Sequence, residues 1–234
     1  MSLDISELPL AGGHPALDLV NTVAPRVRLD HEAPYDHLRS PADLVVWASR
    51  AGLITAAEAR QAVAAPGAGG TALQAAVEIR EALHAVLLVV TGADRPGRAG
   101  TDVALERLRQ FWTAALGRSA LQIDGSAVRL QVGMAAHLLI PDRAAAAAMD
   151  LLLNGDLGRL RRCPPEEGGC GWIVLDNSRN GSRRWCRMAD CGTTVKAQRL
   201  TERRRARRSA APVAPGSGAP AGTLLPTQSL TEES

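Results

Sequence analysis

Four cysteines are the residues of this 234-residue chain whose type and spacing point most directly to chemistry. They are Cys163, Cys170, Cys186 and Cys191, and the chain has no others. Four thiolates in two close pairs suit a structural zinc ion, which binds its ligands tetrahedrally. A pair of disulfides or a thiol redox switch stays open as an alternative, although neither pair has the two-residue spacing of a redox motif. Four cysteine ligands leave no open position for catalysis, so the sequence predicts one structural Zn²⁺.

Basic side chains are concentrated around these cysteines. The net charge is +9 over residues 159–208 and −4 over residues 1–158, in a chain whose total is +3. A basic segment attached to a mildly acidic body is typical of a module that contacts a polyanion. The candidate nucleic-acid contacts form one group around the second cysteine pair and another at helical spacing after it: Arg179, Arg183, Arg184 and Arg187, then Lys196, Arg199, Arg203, Arg204 and Arg207.

The aromatic residues of this segment bear on which polyanion the arginines contact. Single-stranded RNA readers add exposed aromatic side chains for base stacking. The candidates here, Trp172 and Trp185, are expected to pack inside the small zinc-binding unit. The sequence therefore predicts a zinc-dependent protein that binds double-stranded DNA. Two alternatives stay open: a module that docks onto an acidic protein or RNA, and an arginine face that is only solvated.

Local patterns around the cysteines predict a treble-clef-like frame. Residues 172–175 and 182–185 can form two strands, and the turn-forming residues 176–181 would join them. Residues 192–208 contain no proline and favour a helix. A unit of this size has almost no core of its own, so we expect the metal to supply most of its folding energy.

The residues before the cysteines show mostly helical patterns. Ser40 precedes a proline and Thr55 opens a capping box, which are two signals of a helix start. Apolar residues recur at helical spacing over 71–90, 102–116 and 141–153. These segments predict a helical domain whose core is independent of the metal.

One change of period interrupts the helices. Apolar residues alternate with polar ones on both sides of Asp124–Gly125, which indicates a β-hairpin. The predicted fold class is therefore α+β, with a mostly helical amino-terminal domain containing a β-hairpin, plus a small treble-clef-like zinc-finger domain.

Signals for other functions are weaker. His14, Asp18 and Asn21 lie close together near the amino terminus and are candidates for contact with a ligand, with capping or packing as the competing explanation. The chain has no Gly-x-Ser-x-Gly nucleophile motif and no glycine-rich phosphate loop after a strand, so we expect no enzyme. It also has no apolar stretch near ~20 residues and no basic-then-apolar leader, so we expect a cytoplasmic protein without a membrane segment.

Short motifs in both parts of the chain resemble a known family. RLRRC at 159–163, CGW at 170–172, RRWC at 183–186 and MADCG at 188–192 resemble the CGNR zinc finger. GGHPALDLVNT at 12–22 resembles the start of the ABATE domain, which precedes that finger. The resemblance implies zinc ligation by the four cysteines and a stress-related transcription regulator that binds DNA.

The resemblance also implies a domain organisation. We expect an ABATE-like α+β domain at 8–158 with a role in ligand sensing or homodimerisation, a CGNR-like finger at 159–208 and a disordered tail at 209–234. Two features depart from the family pattern. Thr193 and Thr194 stand where the family has Asn and Arg, and six residues separate the first cysteine pair where the family usually has about four.

Overall fold

The structure, a computed structural model, describes residues 4–29, 32–64, 69–95, 97 and 99–209, with the backbone alone at 99 and 207–209. Its helices are α1 (Pro15–Val20), α2 (Pro41–Arg50), α3 (Ala56–Ala64), α4 (Gly69–Val90), α5 (Ala99–Gly117), α6 (Leu139–Asn154) and α7 (Thr193–Ser209). Its strands are β1 (Val23–Ala24), β2 (Tyr35–Asp36), β3 (Ala120–Asp124), β4 (Ala127–Gln131), β5 (Leu160–Arg162) and β6 (Ile173–Leu175). The predicted α+β class is confirmed. Residues 210–234 of the tail expected to be disordered lie outside the described residues.

Side-chain caps begin two of the helices as their sequences predict. Ser40 Oγ accepts a hydrogen bond from the backbone N–H of Asp43 (3.2 Å) at the start of α2. At α3, Glu58 Oε2 accepts from Thr55 N (2.8 Å) and Thr55 Oγ1 accepts from Glu58 N (3.3 Å). Arg143 of α6 also donates two hydrogen bonds to Glu58, which lowers the pKa of this carboxyl to about 2. The cap therefore joins α3 to α6 as well as starting a helix.

The helical core forms where α4, α5 and α6 pack against one another. One side of α4 is fully buried along Ile79, Leu83 and Leu87, as the apolar spacing of this segment predicts. Helix α6 contributes Ala148 and other buried alanines, and these small side chains let its backbone approach α4 and α5 closely.

The strands form three separate antiparallel pairs, β1–β2, β3–β4 and β5–β6. The pair β3–β4 is the predicted hairpin, which is confirmed. It turns through two residues, and Gly125 supplies the left-handed backbone that this turn needs (φ +60°).

The hairpin predicted within the cysteine segment is wrong in its pairing. Residues 173–175 do form a strand, β6, but its partner is β5, which precedes the first cysteine. Residues 182–185 are not a strand. The backbone N–H of Arg183 bonds instead to the carboxylate of Asp176 (2.9 Å), so a side chain takes the donor that a ladder would have used.

The cysteine segment and the amino-terminal segment share one hydrophobic core. Buried Leu17 and Leu19 of α1 belong to the same cluster as Cys163, Ile173 and Val174. Packing divides the chain into a unit from Met1 to Ala197 and a second unit from Gln198 onward. The predicted boundary at 158/159 therefore crosses a continuous core, and whether either side folds alone stays a prediction.

Within the described ranges, no helix is both long enough and apolar enough to cross a bilayer.

Candidate metal centre

The first cysteine pair lies on a tight loop that follows β5. The backbone N–H of Cys163 donates to the carbonyl of Trp172 (2.8 Å), and Gly171 N donates back to Cys163 O (3.1 Å). The six residues between the two cysteines fold into a short 3₁₀ turn over Pro165–Glu167. A side chain at Gly169 would place its Cβ 2.8 Å from Cys163 Sγ, so glycine is required there. The longer first loop thus still brings both sulfur atoms to one site.

The second cysteine pair lies at the start of α7. Cys191 falls inside a π-helical turn over Met188–Gly192, and α7 continues directly from this turn. Thr193 Oγ1 donates to the carbonyl of Met188 (2.8 Å) and closes the turn. Thr193, which replaces the family's Asn, therefore has a structural role of its own at this junction.

The positions of the sulfur atoms fit a metal ion. All four lie within 4.8 Å of one another, with 3.4 Å between Cys170 Sγ and Cys186 Sγ and 3.6 Å between Cys186 Sγ and Cys191 Sγ. Tetrahedral thiolates about 2.3 Å from zinc are separated by about 3.8 Å, whereas disulfide sulfurs are about 2 Å apart. The four cysteines are unlinked thiols. They hold one structural Zn²⁺ and fill its coordination.

Asp176 and Arg183 brace the loop between the two pairs. Asp176 is fully buried, and it accepts hydrogen bonds from Ser178 Oγ (2.6 Å), Ser178 N (2.9 Å) and Arg183 N (2.9 Å). The bonds from Ser178, opposed by burial, lower the pKa of Asp176 to about 2. The Arg183 guanidinium donates to four backbone carbonyls, those of Ala11, Leu175, Trp185 and Cys186.

Two family descriptions match this arrangement. Residues 13–155 match ABATE, described as "Putative stress-induced transcription regulator". The chain belongs to the ABATE family. Residues 159–204 match the CGNR zinc finger, and this range of the chain contains the four-cysteine cluster. Neither description names an enzymatic activity. No curated protein and no solved structure matches this ABATE chain.

The predicted nucleic-acid residues differ in what they already contact. Arg184 pairs with Glu167, and its guanidinium lies 5.7 Å from the ring centre of Trp185. Arg187 pairs with Asp190 (3.1 Å). Arg179 is exposed in the turn after β6. Arg183 is the exception, because its bonds to backbone carbonyls commit most of its donors to holding the loop.

The remaining predicted basic residues lie on α7. The exposed ones are Lys196, Arg199, Arg203 and Arg204. The side chain of Arg207 lies outside the described residues. Spacings of three and four along a helix place Lys196, Arg199 and Arg203 on one face.

Two further arginines were not among the predicted contacts. Arg161 and Arg162 of β5 line a groove of 310 Å³ together with Arg184. Their charge was visible in the RLRRC motif. What the sequence could not show is that β5 pairs with β6 and so brings these side chains beside Arg184.

The three candidate ligand contacts near the amino terminus all have partners within the chain. His14 caps α1, with Nδ1 accepting from Ala16 N (3.2 Å), and its Nε2 lies 3.3 Å from Asp150. Asp18 Oδ1 accepts from Gly12 N (2.8 Å). Asn21 bonds twice to the backbone of Ile173, donating to its carbonyl (2.9 Å) and accepting from its N–H (3.1 Å).

Proposed function

We propose that this ABATE chain is a zinc-dependent protein that binds double-stranded DNA and regulates transcription, without enzymatic activity. We place it in the cytoplasm, where four thiolates stay reduced and available to zinc. The observation that carries the proposal is the row of exposed cations on α7, and a groove lined by arginines beside the first cysteine loop supports it.

The groove has the charge and donors that a phosphate needs. The buried Nε of Arg162 has no hydrogen-bond acceptor among the residues that the structure describes, whereas Arg161 donates to the carbonyls of Gly158 (2.8 Å) and Leu160 (2.9 Å). Arg184 supplies a third guanidinium, although Glu167 already pairs with it. A planar guanidinium group can donate two parallel hydrogen bonds to two oxygens of one phosphate, so this groove suits the DNA backbone.

Helix α7 supplies a second set of cations. Lys196, Arg199 and Arg203 are exposed at intervals of three and four residues, and Arg204 is exposed beside them. A row of cations on one helix face can follow the phosphates of a duplex and release their counterions. Contacts of this kind position a protein on DNA, whereas contacts to base edges select the sequence.

The test is the salt dependence of duplex binding by the full zinc-loaded chain. Fluorescence anisotropy with a duplex of about 30 base pairs gives the slope of log affinity against log salt concentration. Replacing Lys196, Arg199, Arg203 and Arg207 with Gln should flatten this slope by about 0.9 per lost contact, up to roughly 3.6. We expect a similar loss of affinity for DNA of different sequences.

A matched control removes four charges elsewhere. Arg60, Arg95, Arg107 and Arg109 are exposed in the amino-terminal segment, and their replacement with Gln changes the net charge equally. The salt slope of this variant should equal that of the wild type. Equal slopes for all three proteins would refute the role of α7, and preferential binding of RNA or an acidic protein would favour the docking alternative.

A further inference from the structure

The hairpin β3–β4 carries an apolar face that nothing in the described part of the chain covers. Leu121 stands opposite Leu130 and Ile123 stands opposite Val128, so all four side chains project from one face. Their exposed fractions are 73%, 42%, 82% and 67%, respectively. A contiguous group of large aliphatic side chains that is exposed to this degree usually marks an interaction surface.

The other face of the same hairpin is polar. Gln122 and Arg129 stand opposite each other there, and Arg129 pairs with Asp124 (2.8 Å). Arg129 and Asp124 are themselves exposed, so the hairpin has solvent on both faces. A two-stranded sheet in water is marginally stable by itself. Covering its apolar face with a partner would therefore stabilise the hairpin more than covering its polar face.

We infer that this apolar face packs against the same face of a second copy of the chain. A two-fold interface brings identical patches together, so the patch must be complementary to itself. The face satisfies this condition because none of its four side chains is charged, and no like charges would meet. For the same reason it offers nothing to DNA or to an acidic protein.

The area of the face agrees with this partner. The four residues together expose at most about 500 Å² per copy, so two copies would bury at most about 1,000 Å², which is the size of a weak, transient interface. This surface is built from residues 121–130, apart in sequence from the cysteines and from the predicted nucleic-acid contacts. The inference therefore goes beyond DNA binding and does not depend on it.

Sedimentation velocity on the full zinc-loaded chain tests the inference. Between about 1 and 100 µM the wild type should shift from monomer to dimer with a single dissociation constant. Ile123→Lys places a charge in the apolar face and should weaken self-association at least about tenfold. Gln122→Lys is the matched control, because it adds the same charge to the opposite face of the same strand, and it should dimerise as the wild type does.

Folding is checked separately by far-UV circular dichroism and zinc content, which should be unchanged because both positions are exposed. A wild type that stays monomeric at about 100 µM would overturn the inference. Equal weakening by Ile123→Lys and Gln122→Lys would overturn it too, since the two faces would then be equivalent.

Discussion

At the scale of single residues, Asp18 makes stability depend on pH. Its side chain is buried in α1, and burial raises its pKa to about 6 even though Gly12 N donates a hydrogen bond to it. The folded chain therefore binds a proton here more tightly than the unfolded chain, whose carboxyl has a pKa near 3.8. This contribution to stability is complete below about pH 4 and is lost as the pH rises to about 6.

Asp18→Asn removes this ionisation while keeping an oxygen that can accept from Gly12. We expect the variant to be more stable than the wild type above pH 7, by on the order of 2 kcal/mol, and the difference to shrink toward pH 5. Urea denaturation of both proteins at several pH values measures this. Comparison at each pH matters because zinc release in acid affects both proteins. A difference in the free energy of unfolding between the two proteins that stays constant from pH 5 to pH 8 would contradict the raised pKa of Asp18.

The sequence shows residue types better than it shows partners. The four cysteines and their metal could be predicted because thiolates at this spacing have few other uses. Arg183 could not be separated from Arg184 by charge alone. The structure separates them, because Arg183 donates to backbone carbonyls whereas Arg184 lies exposed beside Trp185.

At the scale of elements, Asn21 joins α1 to β6 across 152 positions of the chain. Its buried amide pairs with both the N–H and the C=O of Ile173. Asn21→Ala leaves two buried backbone groups unsatisfied, so we expect it to lower the free energy of unfolding by about 2–4 kcal/mol.

Asn154→Ala is the control for this prediction. Asn154 is exposed, and within the described part of the chain its amide donates to the side chain of Asp150 (2.9 Å) and to no backbone group. Its loss should change the free energy of unfolding by less than about 0.5 kcal/mol. Thermal melts of both variants in the presence of zinc make the comparison. Similar melting temperatures for the two variants would mean that the Asn21 bonds contribute little.

Most elements could be predicted because their signals are local. The capping box at Thr55 and the apolar spacing of α4 depend on residues within a few turns of one another. The partner of β6 could not be predicted in this way. Residues 182–185 follow β6 with a suitable turn, yet the strand pairs with β5, on the far side of the first cysteine loop. Strand propensity does not specify pairing between distant segments.

At the scale of the molecule, the zinc centre is part of the amino-terminal core. Backbone bonds cross between the two segments at Arg26 N to Cys170 O (2.8 Å) and Leu175 N to Gly12 O (2.7 Å). The indole of Trp172 also donates to the carbonyl of Val23 (2.9 Å). Because structural zinc supplies folding energy to the loops that bind it, this energy should reach the amino-terminal segment as well.

Hydrogen exchange after zinc removal tests this central claim most directly. The full chain is compared with and without a chelator, and the rates are read by mass spectrometry. We predict that residues 12–26 lose protection together with residues 160–192, while amides of α5 keep theirs. Arg26 N in the amino-terminal segment donates to Cys170 O, and Leu175 N in the cysteine segment donates to Gly12 O. Because each of these bonds joins the two segments, both amides should lose protection together. Loss of protection over 160–192 with residues 12–26 unchanged would contradict the account, because the zinc unit would then fold independently.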